Sequence, residues 1–226
     1  MPVNIAAYQS IHASLVDQGV TLIAVSKTKP KEELMELYTL GHRAFGENYV
    51  QELVDKEAAL PKDIQWHFIG HLQSNKVKYI APFVHLIHGV DSLKLLQEIN
   101  KQALKNNRVI DCLLQVHIAN EETKFGFDGP ALHELLMSGR ITSYTNIRIR
   151  GLMGMASFSE DQALLSQEFT TLKMYFDKAQ PAFPDGTFNT LSMGMSSDYG
   201  LAITKGSTMV RIGSLLFGAR NYPAPK

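Results

Sequence analysis

Eight short apolar runs, each separated from the next by a segment of helical periodicity, recur along this chain between residues 21 and 212. The candidate strands are 21–26, 43–46, 65–69, 84–89, 112–118, 147–154, 187–192 and 209–212. Helical patterns at 31–40, 48–59, 74–81, 92–106, 129–138, 160–179 and 198–205 lie between them, and a further helix at 3–17 precedes the first strand. Strands joined through helices run parallel, because only a crossover returns the chain to start again in the same direction. Two architectures satisfy that pattern, a closed (β/α)8 barrel and an open doubly wound sheet. The strand count and the short tail after the eighth strand favour the barrel, since open sheets more often have fewer strands. We therefore expect an α/β fold, a single (β/α)8 TIM-type barrel domain over residues 1–226, with the extra helix 3–17 covering the bottom of the barrel. A chain of 226 residues, 45% of them hydrophobic, can fill one core of that size.

Chemistry in such barrels sits at the carboxyl ends of the strands. Strand one ends in Lys27, and strand two in Gly46-Glu47-Asn48. Strand three gives Gly70-His71-Leu72-Gln73, strand four His88 and Asp91, strand five His117 and Asn120, strand six Met153 and Met155. Strand seven runs into Gly194-Met195-Ser196-Ser197-Asp198, and strand eight presents Arg211, Gly213 and Ser214. An amine held where a buried strand meets a loop is placed to be a nucleophile. Partial burial disfavours the ammonium and frees the amine to attack a carbonyl. The plain alternative is a lysine snorkelling from a strand end into water.

The last two strand ends suit phosphate. Glycine lets backbone amides approach an anion, a helix start adds unpaired N–H groups, and serine hydroxyls can donate to phosphate oxygens. The alternative is that Ser196 is an ordinary helix N-cap and Gly213 an ordinary turn. Arg211, on the short strand Met209-Val210-Arg211-Ile212, carries a permanent charge and needs an anion or a strong acceptor. It can grip phosphate, hydrogen-bond a heterocyclic nitrogen, or pair with a carboxylate such as Glu47.

Other chemistries find less support. Lys plus Arg equals Asp plus Glu at 22 each, which argues against nucleic acid as the main partner. No apolar run is long enough to cross a bilayer, and the amino terminus lacks a secretory pattern. The lone Cys112 cannot form an internal disulfide and reads as a core filler, so a reducing, cytoplasmic location is expected. The histidines have no metal-ligand spacing, with His67 and His71 separated by a strand end. Gly-x-Ser-x-Gly, Walker and Gly-x-Gly-x-x-Gly patterns are absent. Met153, Met155, Met193 and Met195 read as pliable packing around the barrel mouth.

A reactive lysine, a phosphate cradle and an arginine at one barrel mouth suit pyridoxal 5′-phosphate (PLP). A class I aldolase also pairs a lysine with a phosphate site, but it needs an acid–base partner near the amine, and none stands out beside strand one.

Five segments sharpen this. Ala24-Val25-Ser26-Lys27-Thr28-Lys29-Pro30, Phe45-Gly46-Glu47-Asn48-Tyr49-Val50-Gln51-Glu52, and Trp66-His67-Phe68-Ile69-Gly70-His71-Leu72-Gln73-Ser74-Asn75-Lys76 are followed by Ser192-Met193-Gly194-Met195-Ser196 and Gly206-Ser207-Thr208-Met209-Val210-Arg211-Ile212-Gly213-Ser214. In that order they resemble the pyridoxal phosphate homeostasis proteins, collinearly from about residue 20 to residue 222. That family is similar to the barrel domain of alanine racemase.

The resemblance implies that Lys27 holds PLP as a Schiff base, that Ser196, Gly213 and Ser214 bind its phosphate, and that Arg211 lies near the pyridine nitrogen. Asn48 would be the neighbour from strand two. It further implies a cofactor-binding homeostasis protein rather than an enzyme, with PLP-dependent apo-enzymes as candidate recipients. A weak PLP-dependent amino-acid racemase is the alternative. Lys27 comes earlier than in many relatives, which implies a shorter first helix. Racemisation needs a proton acceptor on each face of the cofactor, and the short tail leads us to expect no second domain to supply one. An arginine at the ring nitrogen also keeps that nitrogen unprotonated and weakens the electron sink. A monomer is expected.

Overall fold

The computed structural model describes residues 3–121 and 125–218. The termini of the expected 1–226 domain, including the tail after Gly218, lie outside the described residues. Eight parallel strands close into a barrel in sequence order. They are β1 (Thr21–Val25), β2 (Ala44–Glu47), β3 (Gln65–Phe68), β4 (Leu86–Val90), β5 (Ile110–Val116), β6 (Ile147–Gly154), β7 (Thr190–Met195) and β8 (Met209–Ile212). Closure comes from β8 pairing with β1, Leu22 opposite Val210 and Ala24 opposite Ile212. The outer layer holds α1 (Ile5–Asp17), α2 (Lys31–Thr39), α3 (Val50–Ala59), α4 (Val77–Ile80), α5 (Leu93–Lys105), α6 (Gly129–Met137), α7 (Gln162–Ala179), α8 (Tyr199–Thr204) and α9 (Ser214–Phe217).

Strands covered on both faces need no polar side, so β1 reads Leu22-Ile23-Ala24, all buried. Alternate residues serve two cores. Ile23, Leu86, Leu113, Met153 and Met209 pack together inside the barrel. Leu22, Ala24, Phe45, Phe68 and Leu191 face outward into the larger core under the helices. On α7, Phe169, Leu172 and Phe176 share one helical face and are buried there, each contributing roughly 1.5–3 kcal/mol. The Asp161 carboxylate caps that helix by accepting from the N–H groups of Ala163 and Leu164.

Several boundaries move for local reasons. Strand seven begins at Thr190, not 187, because Asp185 accepts from both the N–H and the hydroxyl of Thr187 and Gly186 sits at φ 73°, making a turn. The helix expected from 48 starts at Val50, since Tyr49 is extended at φ −118° and ψ 125°. The pattern at 74–81 splits into a 3-10 turn, Ser74–Lys76, and the single turn of α4. The helix expected to cover the barrel bottom does something else. Helix α1 lies against α9 and β1, with Tyr8, Ile11 and Leu15 buried in the outer core. The amino-terminal mouth is lined by Gly19 and Thr21 and by no residue of α1.

Candidate functional site

A cavity of about 470 Å³ opens at the carboxyl end of the barrel, and Lys27, Asn48, Ser196, Arg211, Gly213 and Ser214 all line it. These six strand-end residues are thereby brought to one place, whereas His71, Asp91, His117 and Asn120, at the ends of strands three to five, do not line this cavity. Ile69, Met155 and Met195 supply apolar walls, and Phe158, 92% exposed, stands at the rim.

Lys27 is two steps beyond Val25 and four beyond the inward Ile23, so strand alternation aims it at the mouth. The loop that carries it is fastened from behind. Ser26 donates its hydroxyl to the Glu47 carboxylate at 2.6 Å. The Lys56 ammonium, on α3, donates to the Ser26 carbonyl, to Glu47 and to Glu52, each at 2.7 Å. Glu52 in turn accepts from the Thr28 N–H at 2.6 Å. Thr28 is held at φ 64°, a conformation that a β-branched residue adopts only under constraint. Burial pushes the Glu47 carboxyl above its ordinary range, and the Lys56 charge and hydrogen bonds oppose that push.

Beside this loop, across the β1–β8 seam, the Gly213 N–H donates to the Ser196 hydroxyl at 3.2 Å, joining the loops after β7 and β8. Ser196 is therefore not the N-cap of α8, which starts at Tyr199 after Asp198. Its hydroxyl hydrogen remains to be donated. The Asp198 carboxylate accepts from the Met195 N–H at 2.5 Å and shapes the same loop. A Cβ at Gly213 would stand 3.3 Å from both the Val25 carbonyl oxygen and its Cβ, so the β8 end approaches β1 closely. The Lys29 ammonium donates to the Phe217 carbonyl at 2.5 Å, tying the loop after β1 to the end of α9.

Arg211 does not pair with Glu47. Its Nη1 donates to the Ser192 carbonyl at 2.9 Å and the Ser192 hydroxyl at 2.6 Å, and its Nη2 to the Gly154 carbonyl at 3.0 Å. Burial pushes the guanidinium down to about 10, with Asp198 pulling the other way, so it stays charged at neutral pH. Asn48 Oδ1 is buried without a hydrogen-bond partner, an acceptor left over at the cavity wall. Its backbone is crossed closely by Gly70, where a Cβ would lie 2.4 Å from the Asn48 carbonyl oxygen. Only glycine allows that approach.

These groups fit pyridoxal phosphate. The cavity offers an amine, a serine hydroxyl beside glycine backbone, a permanently charged donor and an orphaned acceptor. Among the described residues no cluster of three His, Cys, Asp or Glu side chains could hold a metal ion, and no helix is long and apolar enough to cross a membrane.

Lys56, Glu52, Ser192 and Lys29 were not singled out from sequence. Glu52 and Lys56 do stand four apart on a helix, a visible ion-pair spacing, but that pattern ordinarily marks a solvated face. Nothing local marks Ser192 as the partner of Arg211.

Residues 4–221 match the family described as the alanine racemase N-terminal domain. The pyridoxal phosphate homeostasis protein of Pasteurella multocida is 40% identical over 209 residues, covering 91% of this chain and 89% of that protein. The protein of the same name from Aquifex aeolicus is 43% identical over 206 residues, covering 89% and 87%. The structure of PipY from Synechococcus elongatus without PLP superposes with a TM-score of 0.85 at 37% identity, over 91% of this chain and 97% of that one. PipY with PLP bound gives 0.80 at 36% identity over the same shares. Alanine racemase from Bartonella henselae, at 17% identity and a TM-score of 0.71, covers 96% of this chain and 60% of that one and shares the fold. The chain belongs to the alanine racemase N-terminal domain family, and within it to the pyridoxal phosphate homeostasis proteins.

Proposed function

We propose that this chain binds PLP reversibly in the carboxyl-end cavity and serves the homeostasis of that cofactor without robust turnover. The observation that carries this is the convergence of Lys27, Asn48, Ser196, Arg211, Gly213 and Ser214 on one cavity, in a fold shared with PipY, whose structure holds PLP. When bound, the cofactor supplies an electrophilic aldehyde carbon and an electron-withdrawing ring. Lys27 provides the amine for a reversible covalent link. Ser196, Ser214 and the Gly213 backbone face its phosphate. Arg211 faces the ring nitrogen as a pure donor, since a guanidinium has no lone pair to accept with. Asn48 Oδ1 accepts from a ring substituent.

The cavity wall supports holding over turnover. Among the described residues its ionisable side chains are Lys27, Lys29 and Arg211, with no carboxylate, histidine or tyrosine to exchange a proton with a bound amino acid. PLP-dependent apo-enzymes are the recipients we infer, and the chain acts as a monomer of one domain.

Absorbance tests the reading. Purified protein with added PLP should absorb near about 420 nm, as lysine-linked cofactor does, and Lys27→Ala should abolish the band. A band that persists in K27A would remove Lys27 from its role. Steady racemisation of alanine by the loaded wild type, absent in K27A, would replace the holding role with a catalytic one.

A further inference from the structure

We propose that the amino-terminal mouth of the barrel is a second ligand site, which takes a small oxyanion between Arg150 and the buried Nε2–H of His67. A cavity of about 380 Å³ lies there, lined by Thr21, Gln65, His67, His85, Asp111 and Arg150 among others.

The first support is a chain of hydrogen bonds through the barrel interior. Ser192 Oγ, which accepts from Arg211 at 2.6 Å, lies 3.2 Å from His88 Nδ1, and His88 Nε2 lies 3.0 Å from His67 Nδ1. Arg211 can only donate. If the Ser192 hydroxyl then donates to His88 Nδ1, the His88 Nε2–H donates to His67 Nδ1, and His67 carries its hydrogen on Nε2. The reverse order would strand the Ser192 hydroxyl hydrogen in the barrel interior, since both of its neighbours would be donors. The direction is thus set by the arginine. Burial holds His67 down to about 3, so its ring is neutral with a single N–H. That Nε2 is buried with no partner, while His67 itself is 3% exposed. A buried N–H without an acceptor costs about 1–3 kcal/mol, and an acceptor in the adjoining cavity relieves it.

The second support is charge. Asp111 is bound by Arg148 at 2.8 Å, whereas Arg150 reaches the same carboxylate only at 3.6 Å, beyond hydrogen-bond range. Arg108 spends its donors on the Ala81 and Val84 carbonyls and leaves its charge uncompensated by them. His85, on the cavity wall, feels Asp111 from one side and Arg108 and Arg150 from the other. With Arg148 bound to Asp111, Arg150 is the guanidinium on the cavity wall held by no close carboxylate hydrogen bond, and its fork matches carboxylate or phosphate.

Histidine-ring 15N spectra of the full chain, with PLP added to fill the other mouth, test this. Sodium acetate and inorganic phosphate are titrated separately at constant ionic strength and pH. A saturable shift of the His67 Nε2 signal is expected with at least one probe, and which one responds tells carboxylate from phosphate. Arg150→Gln should weaken the apparent affinity at least about tenfold, and Arg150→Lys, which keeps the charge, less. Lys27→Ala should leave the response intact, which separates this site from the PLP reading. No saturable shift with either probe, an equal response in R150Q, or loss of the response in K27A would overturn the site.

Discussion

The Lys56 ammonium lies 2.7 Å from the carbonyl oxygen of Ser26, the residue before Lys27. One side chain on α3 thereby holds the end of β1, and through Glu47 at 2.7 Å it holds the end of β2 as well. Lys56 is 3% exposed and Glu47 0%, so this ion pair is not a surface ornament. Removing one member of a buried pair strands the other, at a cost of about 3–5 kcal/mol. Lys56→Met should lower the unfolding free energy by that order in urea, and it should weaken PLP binding because Lys27 loses its backing. A K56M protein as stable as wild type would show that Glu47 finds another partner.

Thr28 makes the opposite case. It holds φ 64° beside Lys27 and is kept there by the Glu52 carboxylate. Backbone strain of this kind costs on the order of 1–3 kcal/mol and persists only where surroundings impose it. Thr28→Gly should relieve it and gain about 1 kcal/mol in stability, part of the relief being offset by the entropy of glycine in the unfolded chain. The same change should slacken the loop and weaken PLP binding. Melting temperature and cofactor affinity are therefore expected to move in opposite senses, and a loss of both would refute the strain argument.

Ser196 separates phosphate from the rest of the cofactor. Its hydroxyl accepts from Gly213, which leaves its hydrogen for an anion. Ser196→Ala should weaken PLP about tenfold, the worth of one hydrogen bond to a charged group at about 1.5 kcal/mol. Pyridoxal, which lacks the phosphate, should bind S196A and wild type alike. Equal losses for both ligands would take Ser196 out of the phosphate contact.

The barrel was legible because its strands are buried on both faces and so stand out as apolar runs, as Thr21–Val25 does. The six cavity residues were legible because barrel topology gathers strand ends, whatever their separation in sequence. What stayed hidden depended on geometry that periodicity does not carry. Glu52 and Lys56 show the spacing of a solvated helix pair, yet they turn inward beneath Lys27. The left-handed backbone of Thr28 has no compositional sign, since threonine is not the residue that such a position favours. The His88–Ser192 contact joins residues 104 positions apart, and the sequence shows of the histidines only that they lack metal-ligand spacing. The path of α1 was misjudged because an apolar helical face fits the outer wall as well as the barrel bottom.

Acid sensitivity follows from the same buried histidines. Burial lowers His42 to about 4 and His67 to about 3, and it carries His88 well below the ordinary imidazole value. Between those folded values and the unfolded value near 6.5, the unfolded chain binds more protons than the folded one. Stability from these groups is therefore complete above about pH 6.5 and is lost as pH falls toward their folded values. Glu47 works the other way. Its folded value is raised, so it binds a proton more readily when folded, and its contribution shrinks as pH rises from its ordinary value of 4.5. Each proton of difference changes stability by about 1.4 kcal/mol per pH unit. Three histidines against one carboxylate leave a net fall on acidification. The urea midpoint should be flat from about pH 7 to 8 and decline steadily below about 6.5. His42→Phe should make that decline shallower, because its buried ring takes up no proton on unfolding. A midpoint that holds constant or rises between pH 7 and 5 would mean that these rings are not kept neutral by burial.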